Sequence, residues 1–216
     1  MAKKKEWREG EIVSAFKLNK IITPITPLMA DWLDITTPTF SVVEQGNFDD
    51  AYEVGRKHIN NWAEVALKMK FISPVLKLGY VMLDDDNAVS FFDKKLAATV
   101  QNYALSVKAD FIIAKGIMDY MEKPYFHFQE YKPDKNPTGD SMAQLLEAFL
   151  IAQKLNDDGK PLYGCEVNGA TWIFLTMENS SYCVSKAYDS RDKEDLLTII
   201  AVLRKFRHIL ETVLLV

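Results

Sequence analysis

Two carboxylates and a lysine are spaced so that they could meet at one end of a β-hairpin. Two apolar runs, 109–114 and 124–129, flank a loop, which is a hairpin signal. If the loop is symmetric, Asp110 lies opposite Glu130, with Cα atoms about 4.5–5.5 Å apart. Side chains alternate along a strand, so Glu130 and Lys132 share a face at a separation of about 7 Å.

The same alternation predicts an apolar surface beside these charges. Ile112 and Ala114 of the first strand would share it with Phe126 and Phe128 of the second. Charged groups at the edge of such a surface lose hydration, so they must be paired or put to use.

Carboxylates on adjacent strands support metal-dependent hydrolysis. Asp110 and Glu130 could hold Mg²⁺, which prefers oxygen ligands, with Mn²⁺ as an alternative ion. The ion would offset the charge that builds on a phosphodiester, and one of its waters would be the nucleophile. Lys132 would orient that water or stabilise the transition-state charge.

Asp110 followed by Glu130-Tyr131-Lys132 resembles the catalytic motif of the PD-(D/E)xK restriction-endonuclease-like nucleases. The resemblance implies Mg²⁺-dependent cleavage of phosphodiester bonds, with DNA as the expected substrate. Ala109 stands where the family usually has a proline, at a position that is loosely kept in the superfamily.

A glutamine on the next helix adds to the resemblance. Asp140 or Ser141 caps a predicted helix, 142–155, that is too apolar to be anything but buried. Gln144 lies in its first turn, where backbone N–H groups favour anions. In the N-terminal nuclease domains of type I restriction motor subunits, which look most similar, a glutamine on this helix assists at the active site. Those domains often have a tyrosine four residues later, where this chain has Ala148, and a plain surface position for Gln144 remains the alternative.

A helix before the hairpin is predicted to begin after Asn47 or Asp49 and to end near Lys70. Its apolar stripe comprises Ile59, Trp62, Ala66 and Met69. In the resembled superfamily the first core helix often brings a glutamate towards the metal, and Glu53 or Glu64 could do so here. An ordinary solvated helix face is the favoured interpretation of both glutamates.

The complete pattern predicts an α/β fold with a restriction-endonuclease-like αβββαβ core. A mixed central sheet would be flanked by helices, with Asn168-Gly169 as a tight hairpin turn and a C-terminal helix over 192–216. Residues 46–216 would form this domain, and residues 1–45 an N-terminal extension that packs on it.

The composition predicts an acidic, cytoplasmic protein without a membrane anchor. The net charge of −4 argues against a protein that coats DNA broadly, so contact with nucleic acid would come from a local patch. No signal peptide or membrane-spanning stretch is evident, and Cys165 and Cys183 are expected to be reduced core thiols. Selectivity would have to come from a homodimer or from a partner protein, because the chain shows no separate recognition domain.

Two other interpretations compete with the nuclease. A non-catalytic module of the same fold would bind nucleic acid or assemble with partners, since a fold does not fix a function. Alternatively, Glu130 and Lys132 are an incidental ion pair at a strand end, which would contribute little.

Overall fold

The predicted hairpin lies within one mixed sheet. The structure is a computed structural model that describes residues 6–85, 87–134 and 139–216. Within those ranges the sheet has eight strands: β1 (Asn19–Ile21), β2 (Val89–Val100), β3 (Tyr103–Ile117), β4 (Tyr120–Lys132), β5 (Leu162–Asn168), β6 (Thr171–Glu178), β7 (Ser181–Val184) and β8 (Tyr188–Asp189).

The spatial order of the strands is β1-β7-β6-β5-β4-β3-β2, with β8 pairing with β6. Strands β2, β3 and β4 form an antiparallel meander. A helix then returns the chain to β5, which pairs with β4 in parallel. The predicted α/β class, with a mixed sheet flanked by helices and closed by a C-terminal helix, is therefore confirmed.

The ladder between β3 and β4 has the predicted register at its open end, but it stops one residue short of the predicted pair, so Asp110 and Glu130 are not ladder partners. Phe111 pairs with Gln129, and Ile113 pairs with His127. The register shifts between Ile113 and Ala114, where β4 accommodates extra residues. The prediction for Phe126 was wrong for this reason, because it packs in the core on the other face of the sheet from Phe128.

Helices cover both faces of the sheet. Among the described residues they are α1 (Glu9–Phe16), α2 (Pro27–Leu33), α3 (Val42–His58), α4 (Glu64–Leu67), α5 (Ser73–Leu78), α6 (Ser141–Asn156) and α7 (Lys193–Ile209). One core forms under α1 and α6, and includes Phe128 and Phe149. The other forms under α2 to α5 and α7, and includes Trp32 and Phe206. Both faces of the central strands are thus removed from water. This burial of apolar surface is the main contribution to the stability of the fold.

The helix before the hairpin differs from its prediction. It begins at Val42, because Ser41 and Glu44 form a capping box. A 3₁₀ turn interrupts it after His58, and the chain resumes as α4 followed by a π-helical turn, Lys68–Ile72. This break changes the helical phase, so Met69 is 70% exposed, although it was predicted to lie on the apolar stripe.

Residues 6–45 contribute to the sheet and to both cores. β1 pairs with β7, and Trp32 of α2 is completely buried, with its indole N–H donating to the carbonyl of Val202. Helix α3 crosses position 45, so the predicted boundary falls inside a helix.

The later elements match their predictions closely. Asp140 caps α6, and Gly169 takes a positive φ in the turn between β5 and β6. Asp192 caps α7, which continues into a π-helical turn at Leu210–Leu214. Cys165 and Cys183 are free, buried thiols. Within the described ranges, no helix combines the length and the apolar character that a membrane span requires.

Candidate active site

Strands β3 and β4 separate beyond the pair formed by Phe111 and Gln129. From that point β3 continues beside β2 alone, and β4 continues beside β5. The result is a fork in the sheet, with Asp110 at the first position on one arm and Glu130 at the first position on the other. The structure therefore places Asp110 and Glu130 where the two strands diverge. Ala109 packs in the same core as Ile112, so the alternation predicted from Asp110 to Ile112 is interrupted at this point.

Carboxylates satisfy the backbone groups that the fork leaves without a ladder partner. The N–H of Tyr131 donates to Asp110 Oδ2 at 2.8 Å. Further along β3, the N–H of Ser106 donates to Oε1 of Glu147, a buried residue of α6, at 2.8 Å. Unpaired buried backbone groups are costly, so these two contacts allow the strands to part. The role of Glu147 was not predicted, because it depends on where α6 packs.

Glu130 and Lys132 form a buried ion pair. Lys132 Nζ lies 2.7 Å from Glu130 Oε1. The two residues are only 2% and 7% exposed, and Asp110 is 7% exposed. Burial raises the pKa of Glu130, and the charge of Asp110 raises it further, while Lys132 and Lys68 oppose the shift. The two carboxylates therefore repel each other across the fork, and a cation between them would relieve that repulsion.

Lys68 is a member of this group that the sequence did not indicate. Its ammonium lies 2.6 Å from Asp110 Oδ1 and 2.8 Å from Glu64 Oε1. Burial lowers the pKa of Lys68, but hydrogen bonds to both carboxylates outweigh that effect and leave the pKa raised. The only signal in the sequence is the four-residue spacing of Glu64 and Lys68 on one helix face.

Gln144 lies in the first turn of α6, as predicted. Its side-chain Oε1 is buried and has no hydrogen-bond partner among the described residues. None of the hydrogen bonds found within the described ranges joins it to Asp110, Glu130 or Lys132, so its predicted accessory role stays a prediction.

The neighbouring strand β5 adds another buried carboxylate. Glu166 pairs with Glu130 across the parallel ladder, and Asn168 pairs with Lys132. Ser141 donates a short hydrogen bond to Glu166 and lies 3.2 Å from Asn168 Oδ1. These residues fix the start of α6 against the strands that carry Glu130 and Lys132.

Two cavities flank the fork. One, of about 360 Å³, is lined by Lys132, Asp134 and Asn168 together with the start of α6. The other, of about 300 Å³, is lined by Lys68, Phe92 and Tyr131 among others. Lys132 and Lys68 therefore border spaces that a ligand could enter. Neither Asp110 nor Glu130 lines either of these two cavities.

The donor set fits a magnesium ion held mainly by ligands from outside the protein. Within the described ranges, no cluster of three or more His, Cys, Asp or Glu side chains is arranged to bind a metal. Mg²⁺ commonly uses only one or two carboxylates and completes its shell with water and phosphate oxygens. Asp110 and Glu130 meet that smaller requirement in number, and burial together with the charge of Asp110 raises the pKa of Glu130.

The glutamate alternatives on the preceding helices are resolved geometrically. Glu53 binds Arg56 and Lys57 on the exposed face of α3, as the favoured interpretation predicted. Glu64 is linked to Asp110 by Lys68, which contacts both carboxylates.

In the comparisons with known proteins, the chain matches no family model, and no curated protein shows significant similarity to it.

Proposed function

We propose that this protein is a Mg²⁺-dependent nuclease that hydrolyses phosphodiester bonds in DNA, built on a restriction-endonuclease-like core. The single observation that carries the proposal is the fork. Asp110 and Glu130 stand at its first positions, and Lys132, which binds Glu130, lines one of the neighbouring cavities. The order of helix, antiparallel meander, helix and parallel strand supports the proposed αβββαβ core.

Asp110 and Glu130 would be the metal ligands. When bound, Mg²⁺ supplies charge neutralisation at the scissile phosphate and lowers the pKa of an attacking water. The hydrogen bond from the Tyr131 N–H fixes one oxygen of Asp110, which limits the motion of that ligand. Preorganisation of this kind lowers the reorganisation needed during the reaction.

Lys132 would act on the attacking water or on the phosphate. Its ammonium has three N–H donors, and the bond to Glu130 uses one of them. Its side chain lines the cavity at the start of α6, so the remaining donors are available to a group bound there. Its positive charge would stabilise the charge that develops on the phosphate.

One observation favours a second candidate, a nucleic-acid-binding or assembly module without catalysis. Asp110 already has a cationic partner in Lys68, so its charge is compensated without a metal. A site of this kind could retain the fold and the ion pairs while binding no ion.

A cleavage assay separates the two candidates. Purified protein is incubated with plasmid DNA, single-stranded DNA or RNA while Mg²⁺ or Mn²⁺ is titrated. We expect metal-dependent cleavage that falls by about 100-fold or more in Glu130→Gln and in Lys132→Met, because each removes a charge from the site.

Glu122→Gln is the matched control. This glutamate lies on the same strand, near the exposed hairpin tip, so its replacement should leave cleavage unchanged. Cleavage at the natural rate in both Glu130→Gln and Lys132→Met would contradict the assignment of these residues to the active site. Metal or nucleic-acid binding without any cleavage would favour the non-catalytic module.

A further inference from the structure

Lys68 is bound to one of the two carboxylates that would hold the metal. Its ammonium contacts Asp110 Oδ1 at 2.6 Å and Glu64 Oε1 at 2.8 Å, and lies 3.6 Å from Asp93 Oδ1. The three carboxylates come from β3, α4 and β2, so the lysine joins three elements at the mouth of the fork. A divalent ion at Asp110 would meet a positive charge that is already in place.

An ammonium and a metal ion are competing partners for one carboxylate oxygen. Both use its lone pairs, and their positive charges repel each other strongly at short range. Lys68 must therefore leave Asp110, or move along it, before a divalent ion binds there.

The surrounding charges show which group would lack a partner once Lys68 has moved. Asp93 has a second cation, because Lys108 Nζ lies 3.0 Å from its Oδ1. Glu64 has a side chain that is 38% exposed, so water can solvate it. The side chain of Asp110 is only 9% exposed, and needs a new cation.

The Lys68 side chain has space beside it into which it could move. It begins a π-helical turn, a local irregularity that is frequent at functional sites. Its side chain lines the cavity of about 300 Å³ that Phe92 and Tyr131 border. A phosphate of a bound strand would offer the ammonium a new anionic partner.

We propose that Lys68 is a built-in competitor for the metal at Asp110, and that a bound nucleic-acid strand draws it away. Metal and nucleic acid then bind cooperatively, and the protein alone binds the ion weakly. This inference rests on the proposed function, and coupling of this kind is reciprocal between the two ligands.

Mn²⁺ binding to the full chain tests the competition without any measurement of cleavage. Free Mn²⁺ is followed by electron paramagnetic resonance with the natural protein, Lys68→Met, Lys68→Arg, Lys108→Met and Glu130→Gln. We expect Lys68→Met to bind Mn²⁺ about ten-fold more tightly, a typical size for coupling between sites. Lys68→Arg, which keeps the charge, should stay close to the natural protein.

Lys108→Met is the matched control. It removes the same charge from the same region, but from a lysine that pairs with Asp93 and not with Asp110. Its Mn²⁺ affinity should change by less than about two-fold, because the exposed charge is screened by solvent. An equal gain in Lys68→Met and Lys108→Met would overturn direct competition.

The remaining outcomes distinguish this inference from the proposed function. If Lys68→Met and the natural protein bind Mn²⁺ equally and Glu130→Gln abolishes binding, the metal site stands and the competition fails. If no variant binds Mn²⁺, both fail.

A second measurement does not depend on the folding of a variant. A phosphorothioate oligothymidylate, which resists cleavage, is added to the natural protein, with the oligonucleotide alone as the blank. We expect Mn²⁺ affinity to rise by about ten-fold. An affinity that the oligonucleotide leaves unchanged overturns the proposal.

Discussion

Strand β4 carries two polar rows that the fold treats in opposite ways. His127, Gln129 and Tyr131 point to one face, where Gln129 lies 2.8 Å from His127 Nε2 and accepts a hydrogen bond of 2.6 Å from the Tyr131 hydroxyl. Glu130 and Lys132 point to the other face and carry full charges. The first row is neutral and its members bond to one another, although His127 Nδ1 has no hydrogen-bond partner among the described residues. The second row lies at the fork, where Lys132 lines a cavity.

The contrast shows how burial acts on different kinds of polar group. A neutral group can be buried once its hydrogen bonds are made, but a buried charge also needs a compensating charge. Burial lowers the pKa of His127 to about 3, so it stays neutral at ordinary pH. Burial and Asp110 raise the pKa of Glu130. We therefore expect substitutions in the neutral row to change stability, and substitutions at the fork to change activity.

The largest expected effect is the loss of cleavage in Asp110→Asn. An asparagine oxygen can still accept the Tyr131 N–H, so the fold should persist, but the negative charge at the fork disappears. We expect the initial rate of Mg²⁺-dependent plasmid nicking to fall by about 100-fold to 1,000-fold. Asp93→Asn, which also removes a carboxylate near Lys68, should lose much less. Nicking by Asp110→Asn at the natural rate would contradict the expectation that the charges at the fork are needed for activity.

The hairpin and its register at the fork were predictable because they depend on local rules. The symmetry of the loop placed Asp110 opposite Glu130, and the pair formed by Phe111 and Gln129 has that register, although the strands part before the predicted pair forms. The capped helix α6 and the turn at Gly169 were predictable for the same reason, since caps and tight turns are written in a few adjacent residues.

The contacts made by Lys68 and Glu147 were not predictable, because tertiary packing creates them. Lys68 is separated from Asp110 by 42 positions, and its approach depends on the break after His58. Glu147 lies on a helix whose sequence is mainly apolar. Its carboxylate accepts the N–H of Ser106, which has no strand partner where β3 and β4 have separated. The local periodicity of the sequence contains no information about either of these long-range contacts.

The next effect is a pH dependence of stability that originates in His127. Its pKa is about 6.5 in the unfolded chain and about 3 in the folded protein. Between those values the unfolded state binds more protons, so the free energy of unfolding falls as the pH falls. The contribution is complete above pH 6.5 and is lost by about 1.4 kcal/mol per pH unit below it.

His127→Gln isolates this contribution. The amide can accept a hydrogen bond from Gln129 but does not titrate in this range. Urea denaturation of both proteins at pH 6.5 and pH 5 should show that the natural protein loses about 2 kcal/mol more than the variant. Equal losses would mean that the histidine is protonated as easily in the folded protein as in the unfolded chain.

A smaller effect is expected from Tyr131→Phe in the neutral row. The substitution removes one hydroxyl and leaves Gln129 Oε1 buried without its donor. We expect the free energy of unfolding to fall by about 1–2 kcal/mol, while Mn²⁺ affinity changes little. Tyr103→Phe, at a more exposed tyrosine, is the control and should be neutral. A large loss of metal affinity in Tyr131→Phe would show that the two rows are not independent.

The smallest effect should come from Glu53→Ala, which tests the edge of the site. Glu53 pairs with Arg56 and Lys57 on the exposed face of α3, where solvent screens the interaction. Cleavage rate, Mn²⁺ affinity and urea midpoint should all stay within experimental error of the natural protein.

Glu64→Ala, by contrast, removes a partner of Lys68. The lysine should then bind Asp110 more strongly, which weakens Mn²⁺ binding. Identical behaviour of the two variants would mean that the charge network ends at Lys68 and that α4 has no influence on the fork.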